Sequence, residues 1–434
     1  MKTILKFFAL FICCALFPSC ENASDNNFIS QKFSQKVKFE RDLSDAYRIA
    51  NEYAMSLTTT RSSNSRQVAY DDIHYVTTES TRATDGLDTL YYIVNYEGDN
   101  GFAIIPRNKL LPDVVVLTEQ GNYNGEETDN ELFNILMNGA KSYASNSTMR
   151  FDTMTIIPQI PRPVYTDTIT SCTTYNIRPK IATYWSQKSP YNTFCFDNDS
   201  ICPAGCVAIA LAQIMGYYCY PTQINLTYPN RDVNQQTLNW NIINGCPYHL
   251  PFDICDDHLP MARLIREIGE QVDMDYNPDE SSATDVKARQ ALSHFGYTRS
   301  AIKDYNTADI INSLQADQLV YFSAANAIAG EDEGKGHAMI IDGFIETSTH
   351  TRIWEGPGIW PIDQPYPWVL ITDNTTIERY VHCNFGWGGT ANGWYVDGLI
   401  DTDICVELDE NSSHPIEHYK YTLRPKIITN IKPE

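Results

Sequence analysis

The stretch Pro203-Ala204-Gly205-Cys206-Val207-Ala208-Ile209-Ala210-Leu211-Ala212-Gln213-Ile214 constrains this chain most, because it puts a cysteine where a loop of small residues becomes an apolar helix. A thiol at a helix N-terminus faces unpaired backbone N–H groups and the positive end of the helix dipole, and both favour thiolate. Alone, such a cysteine is also a good small hydrophobe. Two further segments turn the reading toward chemistry. In Gly334-Lys335-Gly336-His337-Ala338-Met339-Ile340-Ile341-Asp342-Gly343, glycines give way to His337 at the mouth of an apolar strand. In Tyr184-Trp185-Ser186-Gln187-Lys188-Ser189-Pro190-Tyr191-Asn192, Gln187 offers a neutral side-chain amide. Thiol, imidazole and amide donor are what acyl transfer needs: a nucleophile, a base that then serves as acid, and a hydrogen bond to the developing oxyanion.

Taken in order, these segments resemble the streptopain family of papain-like cysteine peptidases, whose signature pairs a Gly-Cys-Val-Ala helix start with a Gly-His-Ala strand. The resemblance implies that Cys206 is the nucleophile, His337 its base and Gln187 the oxyanion-hole glutamine. A fourth element, His382-Cys383-Asn384-Phe385-Gly386-Trp387-Gly388-Gly389, is similar to the family's Asn-Trp-Gly-Trp-Gly-Gly loop that shields the histidine. It adds Asn384 to the catalytic set and Phe385 and Trp387 to the cleft wall. Phe385 stands where the family usually has tryptophan, which keeps an aromatic wall and removes an indole N–H. The fold implied is α+β: a papain-like two-lobe catalytic domain, helical lobe plus twisted antiparallel sheet lobe, preceded by a small α+β propeptide domain. Implied partners are protein or peptide substrates and the chain's own propeptide as intramolecular inhibitor. No metal and no organic cofactor is implied.

Apolar periodicity agrees with that order of elements. It predicts helices over 206–218, 260–272, 283–294 and 308–316, and strands over 319–323, 337–345, 368–372, 380–384, 394–396 and 419–431. Upstream, one helical face at 41–57, a hairpin of 90–96 with 102–105 around a Gly/Asn turn, a strand at 114–118 and a helix near 130–144 make a small α+β unit. Pro158, Pro161 and Pro163 mark an extended connector with Arg162, Arg178 and Lys180 as processing points. The division read is 1–19 signal peptide, 20–40 tether, 41–165 inhibitory propeptide domain and 170–434 peptidase domain. The segment 354–368, rich in proline and tryptophan, reads as a stiff loop that either borders the cleft or elaborates the surface.

The N-terminus points to export. Lys2 and Lys6 precede an apolar run at 7–17 that ends in Pro18-Ser19-Cys20, too short to span a bilayer. The expectation is cleavage before Cys20 with lipid on its thiol, the alternative a simple secreted protein. A membrane is contacted only through that anchor. A net charge of −22 excludes the basic face that nucleic acid would need. With Cys206 as a free nucleophile, eight cysteines remain beyond the signal region: Cys172, Cys195, Cys202, Cys219, Cys246, Cys255, Cys383 and Cys405. They allow four disulfides, with Cys246–Cys255 the first choice. Zinc at Cys202, Cys206, His382 and Cys383 lacks the paired-knuckle spacing, and Asp273 with Asp275 is too sparse for a calcium loop. His382 reads as packing beside the Asn384 loop. The function read is a secreted or surface-anchored cysteine endopeptidase made as a zymogen. The alternatives are a catalytically inactive surface-binding lipoprotein on the same scaffold and a transpeptidase using the same Cys-His pair.

Overall fold

The computed structural model describes residues 40–56, 66–77, 89–109, 111–128, 131–146, 164–226, 234–245, 259–327, 336–357, 369–397, 422–423 and 425–434. Cys20 and the signal and tether segments, Arg162, Cys246, Cys255 and Cys405 lie outside them.

The N-terminal α+β unit is built from α1 (Leu43–Ser56), β1 (Val68–Thr77), β2 (Thr89–Tyr96), β3 (Phe102–Pro106), β4 (Val116–Thr118) and α2 (Glu131–Asn146). Ala46, Ile49, Ala50 and Ala54 of α1 pack on Val94, Tyr96, Ala103 and Ile105 of the hairpin. The turn between β2 and β3 runs through Gly98, Asp99 and Gly101 at positive φ, as the sequence required. Next comes β5 (Val164–Ile177), followed by β6 (Phe196–Asp197), β7 (Ser200–Ile201) and α3 (Cys206–Tyr218). Then follow β8 (Gln223–Leu226), β9 (Asn234–Thr237), α4 (Trp240–Gly245), α5 (Leu259–Gln271), α6 (Asp285–His294), β10 (Tyr297–Thr298), β11 (Lys303–Asp304) and α7 (Thr307–Gln315). The last elements are β12 (Val320–Ala327), β13 (Gly336–Pro357), β14 (Val369–Asn384), β15 (Gly393–Val396), β16 (Thr422–Leu423), β17 (Lys426–Ile428) and β18 (Lys432–Pro433).

One antiparallel sheet carries the architecture, in the order β1-β2-β3-β4-β15-β14-β13-β12-β17-β11, with β5 on β13 and β16 on β12. Its middle strands are buried on both faces, and the period of two shows how. Val320 and Phe322 of β12, with Met339 and Ile341 of β13, enter the cluster shared with α2 and α7. Tyr321, Ala338 and Ile340 enter the cluster built on α3, α5 and α6. Alternate residues of one strand therefore hold different helical layers, which is why these strands read as unbroken apolar runs. The first cluster also contains Tyr91, Phe102 and Ile104 of the N-terminal unit. That unit thus adds its sheet edge-on through β4 and β15 and shares a core with the sheet lobe, and residues 39–434 form one contact unit.

Three expectations are corrected here. The extended connector contains a strand: β5 pairs with β13 from Phe344↔Ile177 to Pro357↔Val164. Arg178 is exposed just after it, whereas Lys180 is tied to Asp317 by its ammonium and to Asp342 by its backbone. The two strands expected at 368–372 and 380–384 are one, β14, which forms with β13 and β5 a three-stranded arm. Trp354 lies near the far end of that arm, on the order of 50 Å of strand from His337 at the usual rise per residue. Only the start of the segment read as a stiff loop, 354–357, is therefore placed, as strand of that arm; 358–368 lie outside the described residues. Finally, Cys172, Cys195, Cys202, Cys219 and Cys383 are thiols, as is Cys206. Cys195, Cys202 and Cys383 are fully enclosed, where a thiol packs as a small hydrophobe.

Candidate active site

Gly205 precedes α3 at φ 87°, ψ 134°, a conformation suited to glycine, and no side chain caps the helix there. A Cβ on Gly205 would stand 2.5 Å from Met274 Cε and 2.6 Å from its Sδ. Gly205→Ala combines backbone strain with that collision and should cost about 1–3 kcal/mol, read as a lowered denaturation midpoint accompanied by a fall in kcat.

The backbone N–H groups of Ala338, Val207 and Cys206 face the Cys206 thiol and pull its pKa down, but desolvation outweighs them and pushes it up to about 11. The sequence reading expected thiolate. In this state of the chain burial wins over the helix terminus, and the thiol is protonated at neutral pH. The contact with Ala338 matters for geometry: it puts the thiol from the helical lobe beside the strand position next to His337.

His337 is buried, and its Nε2–H donates to the Phe385 carbonyl at 2.9 Å. A carbonyl only accepts, so the neutral ring carries its proton on Nε2 and keeps Nδ1 as the basic nitrogen. Desolvation lowers its pKa to about 4 although the Phe385 bond raises it. The Trp387 ring covers the imidazole at 4.5 Å between centroids, and Phe385 stacks on Trp387 at 4.8 Å. Phe385 is itself in the core, also touching Tyr395 at 5.5 Å.

Asn384 does not hold the imidazole directly. Its Nδ2 donates to Thr183 O at 3.1 Å and its Oδ1 accepts from Gly386 N–H at 3.1 Å. It fixes the turn that presents the Phe385 carbonyl, and so acts on the ring through its neighbour. Gln187 lies in a segment clamped from both sides. Its own carbonyl accepts from Ala204 N–H at 2.8 Å, just before the cysteine, and the Trp185 carbonyl accepts from Gly388 N–H at 3.0 Å, in the Trp387 loop. Asn192 Nδ2 adds a bond to Cys202 O at 2.9 Å. The amide of Gln187 is half-buried and makes no hydrogen bond to a described residue. The four segments singled out in the sequence are thus knitted into one place.

Sequence reading missed a charge cluster beside them: His382 with Asp342 on one ring nitrogen and Glu119 on the other, nearly closed to solvent. Asp342 carried a signal, a lone carboxylate in an apolar strand. Glu119 carried none. Among the described residues no group of three or more His, Cys, Asp or Glu is placed to hold a metal, and no helix is long and apolar enough to cross a membrane. Asp273 is engaged with Lys287 at 3.1 Å.

A helical lobe bringing a thiol to a histidine strand of a twisted antiparallel sheet, with an inhibitor-like α+β domain ahead of it, defines a papain-like cysteine peptidase in precursor form. Comparison with known proteins narrows this class. The Peptidase C10 family matches residues 185–395, and the Spi protease inhibitor family matches residues 30–143. These matches make the chain a streptopain-like cysteine peptidase of papain-like fold, an endopeptidase. It is 24% identical over 342 residues to streptopain of Streptococcus pyogenes, covering 70% of this chain and 73% of that one. It is 21% identical over 389 residues to the thiol protease/hemagglutinin PrtT of Porphyromonas gingivalis, covering 82% of this chain and 39% of that one. Among solved structures, a prointerpain A fragment of Prevotella intermedia aligns with a TM-score of 0.48 at 17% identity, over 85% of this chain and 99% of that one.

Proposed function

We propose that the chain is exported as a latent precursor and hydrolyses peptide bonds through a Cys206 acyl-enzyme once residues 41–165 have been removed from the peptidase part, 170–434. The observation that supports this most is the pairing of the Cys206 thiol with the strand position beside His337, whose Nδ1 is left basic by the Phe385 carbonyl. In the working enzyme His337 takes the thiol proton and the thiolate attacks the scissile carbonyl. The Gln187 amide and the Cys206 backbone N–H receive the oxyanion. The imidazolium then protonates the leaving amine, and the neutral ring activates the water that releases the acyl group. Asn384 positions and Trp387 shields the base. Cys20 is the proposed lipid attachment point, so the precursor is held at a cell surface by its N-terminus and processing releases the peptidase part.

Latency has two supports. The N-terminal unit reaches the histidine-shielding loop through Asn392: Glu119 N–H donates to Asn392 O at 2.7 Å, and Asn392 Oδ1 accepts from Phe385 N–H at 2.9 Å. In its presence thiol and imidazole are both neutral, the unreactive pairing. The test is mass spectrometry of the precursor and its Cys206→Ala variant, incubated with and without an irreversible epoxide inhibitor of thiol peptidases. The expected result is a label on Cys206 and loss of roughly 150 residues or more from the wild type alone, the domain scale. A precursor that neither labels nor shortens, even after an added protease has removed its first domain, would sink the reading in favour of a binding protein.

A further inference from the structure

The cluster that this chemistry leaves unused is Glu119, His382 and Asp342. Strand β13 pairs with β14 through Ile341↔Cys383 and then Gly343↔His382, so Asp342 is the extra residue of a bulge. Bulges re-aim side chains. Here the bulge brings the Asp342 carboxylate to His382, whose Nδ1–H donates to Oδ1 at 2.6 Å. Oδ2 accepts the backbone N–H groups of Lys180 and Ile181 at 3.0 and 2.8 Å. On the opposite edge of the ring, Nε2 stands 3.3 Å from Glu119 Oε1, and the Tyr184 hydroxyl reaches the other Glu119 oxygen at 3.5 Å. The side chains of His382, Asp342 and Glu119 are only 4%, 0% and 10% exposed, and the Trp394 ring closes edge-on at 5.1 Å. Two carboxylates therefore face one imidazole in a nearly dry site. Desolvation pulls its pKa down, but Asp342 and then Glu119 outweigh this and raise it to about 10, so the ring is a cation at neutral pH.

Glu119 comes from the part matched by the inhibitor family, and His382 and Asp342 from the part matched by the peptidase family. We propose that His382 is a carboxylate receptor on the sheet lobe that recognises Glu119 and locks the N-terminal unit in register on β15. The proposal rests on reading residues 41–165 as the inhibitory pro-domain. Strand β4 meets β15 through three pairs, Gly393↔Thr118, Trp394↔Leu117 and Tyr395↔Val116. So short a ladder gives attachment with little choice of register or partner, because backbone bonds are blind to sequence. A charge pair one residue beyond the ladder supplies the choice: a slip of one residue withdraws the carboxylate and leaves a buried cation half-neutralised, which is costly. After the pro-domain leaves, the mature sheet keeps this cation beside the bared β15 edge. The ligand it fits is an extended segment with a glutamate one residue past its paired stretch, as in the chain's own pro-domain acting in trans.

The test uses the full-length precursor carrying Cys206→Ala, so that it stays intact, and reads amide hydrogen exchange in β4 and β15. Glu119→Gln keeps the shape and removes the charge. It should speed exchange at 116–118 and 393–396 at least tenfold while leaving α3 and α5 unchanged. Added to His382→Gln, it should change nothing further, since its partner is already gone. With the catalytic thiol restored, Glu119→Gln should quicken self-processing at least tenfold. Unchanged exchange in Glu119→Gln, or an undiminished effect in the His382→Gln background, overturns the receptor. Loosened β4 and β15 with processing unaltered upholds it and counts against the inhibitory role of the pro-domain instead.

Discussion

In the intact precursor, Cys206 should alkylate slowly with iodoacetamide at pH 7, its rate climbing with pH toward a midpoint near 11, and removal of the pro-domain should raise the neutral rate about a hundredfold. The pH window follows from the two shifts. The thiol loses its proton only near pH 11 and the imidazole gains one only near pH 4, so between those limits the pair is thiol and neutral ring. Bringing the thiol pKa to about 7 or below would raise its thiolate fraction by about 10⁴ at neutral pH. A less basic thiolate is a weaker nucleophile, and a Brønsted slope of about 0.4–0.5 takes back about two powers of ten. What remains is a factor of about 100. An alkylation profile that already has its midpoint below pH 7 in the precursor would show that latency acts by blocking substrate and leaves the thiolate formed.

The second large effect belongs to Asp342. Asp342→Ala leaves the His382 cation with Glu119 alone and strips two backbone N–H groups, those of Lys180 and Ile181, of their acceptor. Breaking a buried charge pair from one side costs about 3–5 kcal/mol, enough to remove much of the stability of an ordinary domain. Urea denaturation should show this as a lowered midpoint, larger than the loss from Gly205→Ala. The wild type should also show the linked pH dependence. The His382 pKa is raised above its ordinary 6.5, so the stability it contributes is complete below about that pH and lost as pH rises through about 10. Thermal melts from pH 7 to 10.5 would follow that loss. A melting temperature flat across this range would mean that His382 is neutral and the cluster is held by hydrogen bonds alone.

Local signals in the sequence carried far. The helix from Cys206 appears as α3 with the same bounds, and the hairpin and both helices of the N-terminal unit stand where periodicity put them. Segments with an apolar face toward a core announce themselves. β5 did not, because every side chain from Thr168 to Asn176 is exposed and a polar, threonine-rich run has no alternation to read. Its strand state comes from β13, a partner distant in sequence. β13 and β14 were read short for the same reason, since their outer halves leave the core.

The sequence by itself determined which segments come together: a cysteine at a helix start, a histidine at a strand mouth and the glutamine and asparagine loops. Each is fixed by a short-range pattern of residue type and turn. Their protonation was decided only by the tertiary structure. Burial overrides the helix terminus at Cys206, and the Phe385 carbonyl, rather than Asn384, sets the tautomer of His337. So was the union of Glu119, His382 and Asp342, from three strand regions, in one dry site. Solvation and long-range charge depend on what surrounds a group in space, and no local pattern along the chain encodes that.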